Sequence, residues 1–553
     1  MGGSIVSSDG NTGTGVFSRP ASGLIRVAGS SDVFIFNVGL VSIGIAIAFN
    51  QLYGPSLYPG SAPWLSTLLA VVGMLFVAAT FYAWSITFPR SGGVYVSLSR
   101  SVGPGVGFVL SLIETVILMY YAALAASLIV TVGLSSFFGT VGFMGESDTF
   151  ISWAANTASP AGIFWIGTGF LLLAGVLLTS GTRRYFAVQK VLFGIALAGT
   201  VVLVAVLVFG DPDTFLANFT AATGLTGDQV ISGAQDLGWA SAPFSFSASW
   251  AFLIWPLLPL LGAVQSVGIG GEIKSVRKTQ LYGMLGAVVA TGLVIALVDL
   301  LATRVFGYDF QGAIGYNSVV GLVDPSTNAW AFSTEGSIGA SPWFTVLIGI
   351  LADNLLIVII VMATFVTWIW FWIPAEIAYT TRTMIAWSFD RIGPNRLGDV
   401  SKRYGTPTTA IWISTAGAIV FMWFIAFQAI ALLTLIEALT IIWGTAMIAA
   451  VVFPRMRKAL FDVSPASEQK IFGMPLMSVT GAVGAAFLAT VLVMLWNDDI
   501  AAGPLFSADG VRGEFWLLLS LVVLGVLWYV GVKAYRRRQG IDISLAFKQI
   551  PIE

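Results

Sequence analysis

The chain has 553 residues, 57% of them hydrophobic and only 10% charged, with a formal net charge of -1. A soluble domain carries roughly 25% charged residues, so this composition excludes an ordinary globule, and the balanced charge points to no nucleic-acid partner. Neither cysteine nor histidine occurs, which excludes disulfides, thiolate metal sites, thiol catalysis and the side chain that most often titrates near neutral pH.

Residues 1–30 are rich in Gly, Ser and Thr and lack the apolar core of a cleavable leader, so a mobile tail is expected there. Crossing a hydrocarbon layer about 30 Å thick takes ~20 apolar residues in helical form. Twelve segments meet that length: 32–53, 64–88, 105–135, 161–180, 185–209, 247–271, 280–304, 343–374, 408–428, 431–453, 474–496 and 514–534. The eighth exceeds a span and is expected to tilt or run on. Beyond it, 375–406 mixes Met384, Ile385, Trp387 and Phe389 with Arg382, Asp390 and Arg391 and reads as an amphipathic surface helix. The connecting stretches 136–160, 210–246 and 305–342 have room for short surface helices.

Basic residues accumulate on the cytoplasmic side of membrane proteins. With the N-terminus inside, all of the 26 Lys and Arg except Arg304 and Arg512 fall in or near cytoplasmic segments. Outer loops carry acids instead, among them Glu146, Asp148, Asp211, Asp213, Asp228, Asp236, Asp309, Asp324 and Glu335. Both termini are therefore expected inside.

Broken helices are tolerated in a membrane only where the backbone is buried in protein or lines a cavity, and such breaks often bind solute. Ser42-Ile43-Gly44-Ile45 in the first span and the glycine-rich stretch from Gly262 through Gln265 to Gly271 in the sixth are the breakable segments. Close helix packing is the alternative use of those glycines.

Pro89-Arg90-Ser91-Gly92-Gly93-Val94-Tyr95 with Ser99-Arg100, then Gly262 with Gly271-Glu272-Ile273-Lys274, then Arg382-Thr383-Met384-Ile385-Ala386-Trp387-Ser388-Phe389-Asp390-Arg391-Ile392-Gly393-Pro394 with Gly405-Thr406-Pro407 occur in that order. Together they resemble permeases of the amino acid–polyamine–organocation superfamily, of the prokaryotic amino acid permease type. The resemblance covers roughly residues 31–455. It implies an all-α membrane protein of twelve transmembrane helices: a leucine-transporter-type 5+5 inverted repeat at 31–455, two additional C-terminal helices at 456–535 and a cytoplasmic tail at 536–553. It also implies that an amino acid's carboxylate and amino group bind backbone at Ser42, Ile43 and Gly44, and at Gly262, Ala263 and Val264, with Ile45 and Gln265 adjoining. Two departures stand out. Ser42-Ile43-Gly44 replaces a Gly-Ser-Gly or Gly-Thr-Gly pattern, and Gly262-Ala263-Val264 replaces a frequent Gly-Phe-Glu. The loss of that acid and aromatic points to a smaller or more apolar substrate.

Ionisable residues within spans cost about 2.5–3.5 kcal/mol each on insertion scales and are functional candidates by default. Glu114 lies mid-depth in the third span, Asp353 near the outer part of the eighth, and Glu437 below the outer surface of the tenth; structural roles stay open for each. Asp299 is expected to pair with Arg304 at the interface. Lys190 either occupies the place of a sodium ion between the first, fifth and eighth helices, as in some proton-coupled relatives, or snorkels to the interface. Trp370-Phe371 stand where sodium-coupled relatives supply hydroxyls, with Thr364 and Thr367 nearest. Trp368, Trp370, Phe371 and Trp372 read as an interfacial aromatic belt, and Tyr120 and Tyr121 as rings that close over a bound solute.

The expected function is secondary active transport of an amino acid or small amine across the cell membrane, proton-coupled or by exchange, with no cofactor and no enzymatic step. A non-transporting nutrient sensor or partner subunit is the alternative. The partners are a small-molecule substrate and the lipid bilayer; the oligomeric state stays open.

Overall fold

The computed structural model describes residues 24–323, 342–401, 403–428, 435–498, 506–507, 510–511 and 513–547. The first part of the N-terminal tail, the loop acids Asp324 and Glu335, and Arg19, Lys402, Arg512 and Lys548 lie outside the described residues. Among the described residues, twelve helices are long and apolar enough to cross a membrane. Spans 1 to 6 are Ser30–Leu57, Pro63–Thr87, Pro104–Met144, Pro160–Thr179, Thr182–Phe209 and Phe246–Gly268. Spans 7 to 12 are Val276–Phe306, Leu355–Phe389, Thr408–Phe427, Leu435–Met456, Leu476–Asn497 and Phe515–Arg538. Proline opens spans 2, 3 and 4, where its missing N–H costs nothing. The connecting stretches do hold helices, at Asp148–Ala158, Pro212–Thr223, Gly227–Asp236 and Tyr308–Val323.

Span 8 departs from expectation. A short helix, Phe344–Ala352, ends at Asp353, whose φ is +40°, and a new helix begins at Leu355. Asn354 makes the break: its side chain accepts from the N–H groups of Leu356 and Ile357, capping the new N-terminus. The helix then continues through Pro374 to Phe389. Residues expected on a surface are thus inside the bundle, with Tyr379, Thr383 and Trp387 buried. Packing against span 3 and the helix Gly93–Ser101 gives their polar atoms protein partners, so the amphipathic pattern marks a polar interior.

The aromatic run on span 8 is interior too. Trp368, Trp370, Phe371 and Trp372 are all buried, and the Trp368 indole donates to Thr200 Oγ1 of span 5 at 3.0 Å. Asp299 and Arg304 do not pair: Asp299 accepts from Asn50 at 2.7 Å, Gln51 at 2.8 Å and Thr67 at 3.3 Å. Arg304 instead donates to the carbonyls of Leu207, Val208 and Gly210, completing the end of span 5.

Spans 1 and 6 are both broken. In span 1, Ser42 takes a left-handed conformation (φ +50°, ψ +75°) between helices Ser30–Val41 and Ile43–Leu57, a geometry that costs a non-glycine residue of order 1–3 kcal/mol. In span 6, the helix Ile254–Leu260 contains Pro259 and gives way to 3₁₀ turns at Leu261–Gly268 and Gly270–Glu272. Proline removes a helical donor there. The order of spans and the two breaks are those of a leucine-transporter-type 5+5 repeat followed by two further helices.

Candidate functional site

The two breaks meet backbone to backbone. A Cβ built on Gly262 would lie 2.4 Å from the Leu40 carbonyl oxygen and 2.9 Å from the Val41 nitrogen, so only glycine permits this approach. Asn37 of span 1 holds the contact from one side. Its amide donates to Ser266 Oγ at 3.0 Å and its carbonyl accepts from the Ser266 N–H at 3.0 Å, while Ser266 Oγ donates to Gln280 Oε1 at 2.6 Å. From the other side, the Trp372 indole N–H donates to the Leu40 carbonyl, which the break frees from the helix ladder. Irregular backbone at membrane depth is thus satisfied by buried side chains.

Ser42, Ile43, Gly44, Ile45, Gly262, Ala263, Val264 and Gln265 are all buried at this junction. Gly44 faces span 8, where an added Cβ would meet Phe365 at 3.2 Å and Trp368 at 3.3 Å. The two tyrosines diverge. Tyr121 lies parallel to Trp372, with ring centroids 6.2 Å apart, beside the breaks, whereas Tyr120 meets Phe421 of span 9 edge-on.

The coupling candidates scatter. Glu114 is buried in span 3, its Oε1 accepting from the Tyr379 hydroxyl and the Trp443 indole, each at 3.1 Å. Lys190 is half-exposed and pairs with Asp32 in the first turn of span 1 at 2.8 Å. Thr200, not Lys190, carries the side chain of span 5 that bonds to span 8. Asp353 is exposed in the turn before span 8 and stands apart from the junction, because the Asn354 cap starts the span after it. Glu437 is buried at the start of span 10. The Thr364 and Thr367 hydroxyls are spent on the carbonyls of Ile360 and Ala363 in their own helix.

Sequence reading missed Glu376. It is buried on span 8, one turn beyond Trp372, and its Oε1 accepts from Gln265 Nε2 at 3.2 Å. The available signal was an acid directly after Trp372-Ile373-Pro374-Ala375, legible only once Pro374 is allowed inside the helix.

One end of the bundle is closed by the motifs that carry the resemblance. The Val27 and Ala28 N–H groups donate to the Glu272 carbonyl, each at 2.9 Å, and Lys274 N–H returns a bond to the Ala28 carbonyl. The last residues of the tail are therefore tied to the chain that follows span 6. The Gly92 N–H donates to the Gly268 carbonyl, and Ser91 Oγ accepts from the Gly271 N–H. Arg382 pairs with Glu272 at 2.7 Å. Asp390 receives Arg90 at 3.2 Å, Arg100 at 3.0 Å and the Tyr95 hydroxyl at 2.8 Å. Burial alone would raise the Asp390 carboxyl, but the guanidinium groups of Arg100 and Arg90 outweigh it and hold it below its ordinary value.

The family model described as amino acid permease matches residues 32–543. The chain belongs to the amino acid permease family. It is a multi-pass membrane protein of a family of transporters, and its function is amino acid transport across a membrane. No curated protein matches the permease.

Proposed function

We propose that the permease is a secondary active transporter of an amino acid or related small amine, working by proton coupling or exchange. The substrate's carboxylate and amino group bind backbone at Ser42–Ile45 and Gly262–Gln265, and Tyr121 covers them. The observation that carries this reading is the direct approach of Gly262 to the Leu40 carbonyl, because it brings two interrupted helix ends to one buried point. Helix ends offer N–H and C=O groups to a zwitterion without a charged side chain. Residues 31–455 form the transport core, 456–535 add two spans, and the arginine-rich end, with both termini, faces the cytoplasm of the cell. Glu114 is the leading proton carrier, being buried and free of any basic partner among the described residues.

Uptake of labelled amino acids into proteoliposomes tests the reading. Accumulation should follow an imposed pH gradient or internal substrate, and should not require sodium. Sodium-dependent uptake, or binding with no flux under any gradient, would reject it. For orientation, cysteines at Gln539 and Ser232, both exposed, should react with an impermeant reagent from opposite faces of the membrane.

A further inference from the structure

Beside the breaks lies a group of oxygens that the main-chain reading does not use. Glu376 Oε2, Gln265 Oε1 and the Tyr121 hydroxyl are each buried and without a hydrogen-bond partner among the described residues. They belong to one neighbourhood. Gln265 Nε2 bonds the Glu376 carboxylate, so its own Oε1 is next to that carboxylate. The Tyr121 ring lies parallel to that of Trp372 at 6.2 Å, and Trp372 precedes Glu376 by one turn of the same helix. The other titratable groups facing Glu376 are Glu114 of span 3 and Tyr185 and Tyr379. None is a base. The nearest arginine on the same helix, Arg382, directs its Nε to Glu272 at 2.7 Å and keeps an Nη1 unpartnered among the described residues, and no described lysine or arginine pairs with Glu376 or Glu114.

A buried carboxylate with no cation is unfavourable unless it gains a positive charge from outside the chain. The geometry narrows the source. An ammonium has three donors and no acceptor, and the unpartnered atoms around Glu376 are oxygens able to accept: the three just named and, from the facing Glu114, its Oε2. Glu376 sits one helical turn from Trp372, about 6 Å along the axis, and the Trp372 indole holds the Leu40 carbonyl at the break. A substrate with its α-amino and carboxylate groups at the breaks would need a side chain of that reach to place a terminal nitrogen among these oxygens. The four-carbon stem of lysine has it. Tyr121, parallel to Trp372, lines the path between the two points and adds an aromatic face to which cations are drawn.

We infer that Glu376, Gln265 and Tyr121 form a subsite for a second, distal ammonium group, making the permease selective for lysine-like amino acids or diamines. On this inference span 8 supplies the acid missing from Gly262-Ala263-Val264 on span 6, and the substrate is cationic, in place of the smaller or more apolar one expected from the sequence. This inference rests on the main-chain site proposed above, and the test separates the two.

Purified full-length permease in detergent is titrated with lysine, ornithine and norleucine, the last having lysine's stem without its charge, and affinity is read by competition against a labelled amino acid. Lysine and ornithine should bind at least about tenfold more tightly than norleucine, the size of one charge-assisted hydrogen-bond set. In Glu376→Gln the ratio should fall to about one, and in Glu376→Asp it should take an intermediate value. Equal binding of lysine and norleucine by the wild type overturns the inference without any variant. So does a lysine preference that survives in Glu376→Gln. Norleucine binding whose pH dependence disappears in Glu376→Gln, with no preference for charge, would make Glu376 a proton site instead and also overturn it. If no amino acid binds, the main-chain site fails and this subsite with it.

Discussion

Glu272 and Asp390 at the closed end are as deeply buried as Glu114 and Glu376 in the middle of the bundle. Their company differs. The first two are held by Arg382 and by Arg90 with Arg100, whereas among the described residues the second two have only neutral donors: Tyr379 and Trp443 for Glu114, Gln265 for Glu376. A carboxylate with its own arginine is electrically complete and can act as a fastener. One with neutral donors alone becomes complete only when a proton or a cation arrives. The chain thus separates closure from cargo by where it spends its arginines.

The largest effect expected from breaking this arrangement is at Asp390. Asp390→Asn leaves Arg90 and Arg100 facing a neutral amide, and loss of one partner of a buried ion pair costs about 3–5 kcal/mol. A marked loss of thermal stability in detergent should follow, together with faster labelling of cysteines placed at the closed end. Because the native carboxyl is held below its ordinary value, its stabilisation is complete above that value of about 3.9. It is lost only as pH falls through the lower, folded value. The wild type should therefore show no stability transition from this group between pH 5 and 8. A transition there would mean that Asp390 is not held by its arginines.

Next comes a contrast within the breaks. Gly262→Ala drives a methyl into the Leu40 carbonyl at 2.4 Å, a rigid backbone neighbour, while Gly44→Ala meets the Phe365 ring at 3.2 Å. Overpacking of the first kind costs about 1–3 kcal/mol, so Gly262→Ala should lose at least about fivefold in substrate affinity if that cost falls on the binding-competent state. Gly44→Ala should lose less, since a ring can shift by a few tenths of an ångström. Equal losses at both positions would indicate that general helix packing, not the junction, governs binding.

Glu114→Gln should be milder still for stability. The amide oxygen can accept from Tyr379 and Trp443 as the carboxylate does, so the melting temperature should stay within a few degrees, as expected when little more than about 1 kcal/mol is at stake. Proton-driven accumulation should fail while exchange continues. Accumulation that persists in Glu114→Gln would leave the mid-bundle acids without a coupling role for this residue.

How much of this was legible depended on which solvent wrote the pattern. Hydrocarbon wrote the spans: ten of twelve sequence segments fall within a few residues of the helices found, the third stopping nine residues short of Met144 and the eighth being displaced, because length and apolarity are demanded by the membrane itself. Span 8 was misjudged because its second half is polar for an internal reason. Tyr379, Arg382 and Asp390 serve other helices, yet in one dimension they look like the wet side of a surface helix. The tryptophans of span 8 misled in the same way, since a ring that caps a broken helix and a ring that anchors in lipid have identical letters. Asp353 looked like an acid within the outer part of a span because nothing in an apolar run announces that Asn354 will turn its side chain back onto the next N–H groups. The breaks themselves came from the resemblance and from glycine, while their partners Asn37, Trp372 and Glu376 required the contact between helices to be seen.

The smallest effect concerns Lys190, and it bears directly on the contrast between paired and unpaired acids. Its ammonium lies 2.8 Å from Asp32, but the side chain is 49% exposed. Water screens such a pair, which limits its contribution to about 0.2–1 kcal/mol. Asp32 also accepts from the Gly29 N–H at 2.9 Å, so the helix start keeps its cap when the lysine is removed. Lys190→Ala should thus lower stability slightly and leave the pH profile of uptake in place. A cycle with Asp32→Asn should return a coupling energy within that same small range. The alternative role, a lysine standing in for a sodium ion, requires contact with span 8, and there Thr200 occupies the corresponding contact from span 5. It would be restored by one result: a Lys190→Ala permease that exchanges substrate but no longer accumulates it in response to a pH gradient. In that case the fastener at the start of span 1 would itself be the proton switch, and the division between arginine-held and unpaired acids would cease to separate closure from coupling.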